Sequence, residues 1–280
     1  MLLDGRKVVA DKIIELRERV NKLKKKPKLV IIRVGDDLAS EKYVNNKVKR
    51  CKEVGIESEI IHLEESVESF KVAFRIACLN MDEDVTGILL QLPLPKHLDE
   101  KYLTSLIDPE KDVDGFTAEN MGKLVLGENG NVACTPSGII DLLKYYKIEM
   151  EGKDVLIVNR SNIVGKPLAH LFLKENATVT IAHSKTSYLK DKIWQSDIVV
   201  FGVGIPNFVG APHFSTKTTI VDVSINFDEN GKMCGDVAKK DYEEIIKKGC
   251  NITPVPNGVG QMTVLALIEQ TIRIAEEKEN

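Results

Sequence analysis

Short, nearly unbroken runs of Val, Ile and Leu alternate with helix-like stretches along almost the whole chain, and this alternation limits the fold more than any other feature. The runs fall at 29–34, 59–63, 86–92, 154–159, 177–182, 197–203 and 219–223. Strands buried on both faces of a parallel sheet read this way, whereas half-exposed strands alternate apolar with polar. Helical stretches at 40–54, 67–80 and 166–175 lie between them. β and α segments in turn predict an α/β fold with right-handed crossovers.

The chain has 280 residues, room for two domains. A polar stretch with Gly and Asn at 127–131 precedes Thr135-Pro136, which reads as a helix start. Thr135 would be the N-cap and Pro136 the first helical residue, with the helix running to about Tyr146. A last helix is expected over 262–277, with apolar Val264, Leu267, Ile268, Ile272 and Ala275. It follows a Pro- and Gly-containing loop at 254–260 and is placed to return to the first domain. The predicted division is 1–135 plus 264–280 for one domain and 136–263 for the other.

Hydrophobic residues make up 43% and charged residues 29%, the balance of a globular protein. A net charge of −3 gives no case for nucleic acid or an anionic membrane as partner. The start, MLLDGRKVVADK, lacks the apolar core of a signal peptide, and no apolar run is long enough to span a bilayer. The expected compartment is cytoplasmic. The five cysteines include no Cys-x-x-Cys pair, so neither a disulfide framework nor a metal site is expected.

The run at 154–159 leads into Arg160-Ser161-Asn162-Ile163-Val164-Gly165-Lys166-Pro167 and then a helix. A strand, a turn and a helix N-terminus is the setting for a dinucleotide phosphate. The usual G-x-G-x-x-G is absent, so an ordinary βα turn stays open. In a dinucleotide fold the next strand ends beside the adenosine ribose, where a carboxylate would accept the 2′-hydroxyl of NAD. Here that strand ends in Ala182-His183-Ser184-Lys185, without a carboxylate. Arg160 could reach the same place, and a guanidinium forks onto phosphate oxygens. The combination favours NADP, with NAD as the alternative; a solvated loop is the plain reading of Ser184 and Lys185. Gly202 and Gly204, and the turn from Ser224 to Asn226, follow later strands and are candidates for the cofactor site or simple turns.

In the first half, Tyr43 and Lys47 lie four residues apart in a predicted helix and share a face. Gln91 ends a buried strand just before Pro93 and Pro95. The loop Lys111-Asp112-Val113-Asp114-Gly115 offers two carboxylates, which could hold a cation or an amine-bearing ring, or merely form an Asp-Gly turn. Spacing alone does not separate these from surface residues.

Taken in order, the segments resemble the bifunctional methylenetetrahydrofolate dehydrogenase/cyclohydrolase family over nearly the whole chain. Ser40-Glu41-Lys42-Tyr43-Val44-Asn45-Asn46-Lys47 matches its S-x-x-Y-V-x-x-K, and Gln91-Leu92-Pro93-Leu94-Pro95 its Q-L-P-L-P. Lys111 to Gly115 fits its K-D-V-D-G, Arg160 to Pro167 its R-S-x-I-V-G-x-P, and Gly235-Asp236-Val237 and Ile252 to Pro256 also fit. The resemblance implies two α/β domains with a cleft between them, the second a Rossmann-type dinucleotide-binding domain. It implies oxidation of 5,10-methylene-tetrahydrofolate with NADP and hydrolysis of the methenyl product to 10-formyl-tetrahydrofolate. Lys47 would be the central catalytic residue, with Tyr43 lining the folate, Gln91 bonded to Lys47 and Asp114 holding the pterin. Leu90 and Leu92 would flank Gln91 in the substrate site, and Pro256, Asn257, Gly258, Val259 and Gly260 would close over it. Asn159, Arg160, Ser161, Val164, Gly165, Ser184 and Ile225 would line the cofactor. A homodimer built through the cofactor domains is also implied.

The chain departs from the family pattern at Asn159, Ser224 and Asn257, where Gly is usual, and at Gln261, where Pro is usual. Asn tolerates the left-handed conformation, so Asn159 and Asn257 are expected to keep the backbone path. The rival readings are a monofunctional NAD(P)-dependent dehydrogenase and a non-catalytic dinucleotide binder. No G-x-x-x-x-G-K-[ST] is present, so a fused ligase activity is not expected.

Overall fold

The computed structural model describes residues 1–279. It divides into two compact units, each with its own parallel sheet. One comprises Ala10–Cys134 and the chain from Val264 onward; the other comprises Met1–Val9 and Thr135–Thr263.

Most of α1 (Gly5–Lys22) belongs to the first of these units, followed by β1 (Lys28–Val34), α2 (Leu38–Val54), β2 (Glu57–Leu63), α3 (Ser69–Met81), β3 (Gly87–Leu90), α4 (Glu100–Ser105) and α5 (Ala118–Leu126). The strand order is β2-β1-β3, all parallel. Central β1 is apolar on both faces, and Val30, Ile32, Ile76, Ile88 and Leu90 pack in one core cluster. Edge strand β2 is largely exposed, which explains its more polar sequence. Helix α2 starts at Asp37, whose carboxylate accepts the Ser40 N–H, and stops at Gly55, left-handed with φ 93°.

The loop after β3 is built on two buried charges. The Lys111 ammonium donates to the carbonyls of Leu79, Asn80 and Asp82 at 2.7–2.9 Å, closing the end of α3. Asp112 accepts the N–H groups of Gly115 and Thr117 and the Asn120 amide. Asp112 is therefore spent on the loop itself, and of the two candidate carboxylates only Asp114 is left for a ligand. Gly115 has φ 65°, and a Cβ there would come within 2.5 Å of the Val132 carbonyl carbon, so this turn requires glycine. The polar stretch at 127–131 is anchored at its end, where Asn131 is buried and bonded to Asn120 and Pro109.

In the other unit follow α6 (Cys134–Tyr145), β4 (Asp154–Val158), α7 (Gly165–Lys174), β5 (Thr178–Ala182), α8 (Leu189–Gln195), β6 (Ile198–Phe201), β7 (Thr219–Asp222), the hairpin β8 (Asn226–Phe227) and β9 (Met233–Cys234), α9 (Tyr242–Lys247), β10 (Asn251–Ile252) and the start of α10 (Val259–Glu279). The five-stranded sheet has the order β10-β7-β6-β4-β5, parallel throughout. Its core gathers Leu156, Val199, Phe201, Phe214 and Ile220, with Phe201 edge-on to Phe214. The first residues, which the sequence assigns to the other domain, pair here: Leu3 N–H donates to Ile252 and Ile252 N–H to Met1, covering the β10 edge.

Helix α6 begins at Cys134, two residues before the expected first helical residue, Pro136. Thr135 is thus inside the helix and not its N-cap; its hydroxyl bonds that of Thr263 at 3.0 Å. Most strands are a residue or two shorter at their ends than the apolar runs, because pairing stops where the chain turns.

Candidate active site

Helix α2 carries Tyr43 and Lys47 one turn apart. Lys47 is 7% exposed and donates from Nζ to Gln91 Oε1 at 3.0 Å. Gln91 sits just past β3, its own N–H bonded to Ile32 of β1, and its Nε2 donates to the Leu92 carbonyl at 2.7 Å. Both ends of the Gln91 amide are thereby assigned, and Oε1 is presented to the ammonium. Leu90 is buried beside it and Leu92 half-buried. Among the described residues no carboxylate forms an ion pair with Lys47.

Asp114 lies close enough for the Lys47 charge to act on it. Burial of its surroundings pushes the carboxyl above the usual carboxylate range; Lys47 opposes this, Asp112 adds to it, and the Cys134 thiol beside it opposes it. The residue keeps part of its surface open, so its carboxyl is screened more than a fully enclosed one. Cys51, one turn after Lys47, is fully buried and pushed up to about 12 by burial, against the pull of Lys47. Burial likewise raises the Cys134 thiol, so both cysteines remain protonated. The structure thus brings Tyr43, Lys47, Gln91 and Asp114 into one unit, and adds Cys134, which no motif singled out.

The second candidate region lies where the strand order of the larger sheet reverses. β4 is flanked by β5 on one side and β6 on the other, and in open α/β sheets ligands bind outside the strand ends at such a point. A cavity of about 430 Å³ is found there. Val158, Leu189, Val203 and Phe208 give it an apolar interior, and Arg160, Ser161 and Ser184 supply polar lining. An apolar slot with a guanidinium and a hydroxyl on its lining fits an adenosine carrying a 2′-phosphate. Arg160 is exposed and forms no ion pair among the described residues. Ile225 is 41% exposed after β7 and does not line this cavity; Val164 is the N-cap of α7 and Gly165 its first residue.

Two expectations about this turn need correction. Asn159 is not left-handed; its φ is negative, unlike that of Asn257 at 83°. Its value lies in the side chain: Oδ1 accepts the N–H groups of Ser161 and Gly165, and Nδ2 donates to Gly202 of β6's turn at 2.6 Å. Nor are the first amides of α7 open to a phosphate, because Asn159 takes that of Gly165, the Ser161 carbonyl takes that of Lys166, and Pro167 has none. Asn257 does keep the glycine-like path, and Gly258 is tight: a Cβ there would meet the Pro254 carbonyl at 2.5 Å. Pro256, Asn257, Gly258, Val259 and Gly260 all lie in the unit of the larger sheet.

Asp222 and Asp236 form a buried carboxylate pair beside the turn that carries the cavity-lining Val203 and Ile205; in the sequence only Asp236 falls within a matched motif. Asp222, at the end of β7, accepts the N–H groups of Asp236 and Val237, and Gly235 is the residue that lets it approach. Burial, helped by the Asp236 charge and opposed by backbone donors, pushes Asp222 up to about 7. The folded protein therefore retains a proton that the unfolded chain releases above the ordinary value of 3.8. Stability from this group is fully present below that value and is lost as pH rises towards 7. Tyr242 and Cys234 nearby are also pushed up, away from this window. The thermal midpoint should fall as pH rises from about 4 to about 7, and Asp222→Asn should flatten that slope. A midpoint that rises across the same range contradicts this.

Comparison with known proteins bears on both regions. The family model for the tetrahydrofolate dehydrogenase/cyclohydrolase catalytic domain matches residues 3–114. That for the NAD(P)-binding domain of the same family matches 133–279. The chain belongs to the tetrahydrofolate dehydrogenase/cyclohydrolase family. Within it, the bifunctional protein FolD of Bacillus mycoides (strain KBAB4) is 43% identical over 279 residues, 99% of this chain and 96% of that protein. FolD of Agathobacter rectalis is 44% identical over 274 residues, 97% of each. The crystal structure of the bifunctional FolD enzyme from Campylobacter jejuni superposes with a TM-score of 0.95 at 42% identity, covering 99% of both chains. The Trypanosoma brucei enzyme, solved with NADP and an inhibitor, gives 0.93 at 32% identity, over 100% of this chain and 98% of that one. These family members span the same two regions as this chain.

Proposed function

We propose that the chain oxidises 5,10-methylene-tetrahydrofolate to the methenyl form with NADP, and hydrolyses that product to 10-formyl-tetrahydrofolate. The unit bearing Lys47 takes the folate role, and the unit with the five-stranded sheet the cofactor role. The observation that carries the hydrolytic half is Lys47 itself: a buried ammonium held by a neutral amide, without a carboxylate ion pair among the described residues.

NADP, when bound, takes up the hydride that leaves the methylene carbon. The protein's part in that step is positioning. Tyr43 lines the folate ring and Asp114 holds the pterin edge. The methenyl product is a cation, so water can add to its single carbon once a base removes a proton. With the methenyl cation bound beside it, Lys47 releases its proton to solvent and, as the free amine, takes that of the attacking water while the new C–O bond forms. The C–N5 bond then breaks, N5 receives the proton from Lys47, and the remaining hydroxyl proton leaves as the formyl C=O forms. Gln91 Oε1 keeps Nζ aimed during both transfers. On the cofactor side, Arg160 and Ser184 recognise the 2′-phosphate, and the absence of a carboxylate after β5 favours NADP over NAD.

A cytoplasmic homodimer completes the reading. No helix among the described residues is long and apolar enough to cross a membrane. Strand β5 is a sheet edge with Thr178, Thr180 and Ile181 exposed, a surface suited to a second copy. A monomer by sedimentation at micromolar concentration would exclude the dimer. The functional reading is tested by thermal stabilisation. At about 100 times its Kd each ligand adds about 2.7 kcal/mol. Tetrahydrofolate and NADP are each expected to raise the midpoint, whereas a response to NADP alone would leave only a nucleotide binder.

A further inference from the structure

The turn after β6 is gripped by side chains that the proposed chemistry does not use. From one side, Asn159 Nδ2 holds the Gly202 carbonyl at 2.6 Å, and Gly202 leaves room for it: a Cβ there would lie 2.9 Å from that nitrogen. From the other, Asp236 collects three consecutive amides, those of Val203, Gly204 and Ile205, at 2.6–3.1 Å. The same carboxylate accepts Ser224 Oγ at 2.7 Å and Asn226 Nδ2 at 2.9 Å, and Ser224 Oγ in turn accepts the Gly204 N–H. Asp236 is 0% exposed, and no lysine, arginine or histidine forms an ion pair with it among the described residues. Converging N–H and O–H dipoles alone hold its charge, which is how a short loop is given one fixed shape.

We infer that Asn159, Ser224 and Asp236 are positioning residues that preorganise the cofactor crevice, by fixing the turn from Gly202 to Ile205 before the cofactor arrives. The inference rests on reading that crevice as the NADP site. Val203 and Ile205 line the cavity, so the turn they sit on must be ordered when a ligand binds. A turn already ordered spares the complex that entropy. Asn159 and Ser224 are also two of the positions where the chain departs from the family pattern. Each places a polar side chain on the turn after β6, so their added bulk serves the crevice and does not block it.

Calorimetric titration of NADP into the wild-type protein, Asn159→Gly, Ser224→Gly and Ser224→Thr tests this, together with amide exchange of 202–205 in the absence of cofactor. Each glycine variant is expected to bind NADP about three- to tenfold more weakly, through the loss of the one (Asn159) or two (Ser224) hydrogen bonds that hold this turn. Exchange at 202–205 should quicken in both, and KM for NADP should rise more than kcat falls. Ser224→Thr keeps the hydroxyl and should stay near wild type. Glycine variants that bind NADP as tightly or more tightly overturn the inference, as does weaker binding without faster exchange. A wild-type protein that binds neither NADP nor NAD overturns the functional reading itself, and the inference with it.

Discussion

Lys47→Met is expected to lower methenyl hydrolysis by about 10²–10⁴-fold, the usual worth of a positioned acid or base, while hydride transfer falls far less. Methionine preserves the length and apolar stem of lysine, so α2 and its packing should survive. What is lost is the nitrogen that Gln91 Oε1 holds at 3.0 Å. Hydride transfer needs the folate carbon placed but no proton moved, whereas hydrolysis needs a proton taken from water and another delivered to N5. Separate assays of NADPH formation and of methenyl absorbance distinguish the two. Equal losses in both would mean that Lys47 only shapes the folate site. The neutral Gln91 left without its partner would then matter no more to one reaction than to the other.

Arg160→Ala is expected to weaken NADP binding about ten- to hundredfold, the worth of one or two charge-assisted hydrogen bonds, and to leave NAD binding nearly unchanged. The exposed guanidinium has no carboxylate ion pair among the described residues, so its removal strands no charge and should cost little stability. Titration of both cofactors into the variant checks this. Equal loss of NADP and NAD would place Arg160 against a group that the two cofactors share.

Much of this was legible in the chain because buried parallel strands have little choice of residue. The strands of the larger sheet from β4 to β7 are seen in their Val- and Ile-rich runs, and so are β1 and β3. Edge strand β10 is two residues long and carries no period at all. Helix α1 has buried Val8, Leu16 and Val20 at helical spacing, but its many charges obscure the pattern. The Lys47–Gln91 contact joins residues on different elements, and only the ordered motifs pointed to it. Asp236 was least legible, since its partners at 203–205 are about thirty residues away and are backbone amides, which no residue pattern displays. Asn159 shows the converse: its identity was read as backbone tolerance, but its function in the fold comes from three side-chain hydrogen bonds.

A paired assay on the purified wild-type protein tests the central claim most directly. It would follow reduction of NADP or NAD with 5,10-methylene-tetrahydrofolate, and in a separate run the loss of methenyl absorbance against buffer. Both activities in one polypeptide, with NADP preferred, are the predicted result. Hydride transfer without hydrolysis above the buffer rate would contradict it, leaving a dehydrogenase in which Lys47 performs no proton transfer.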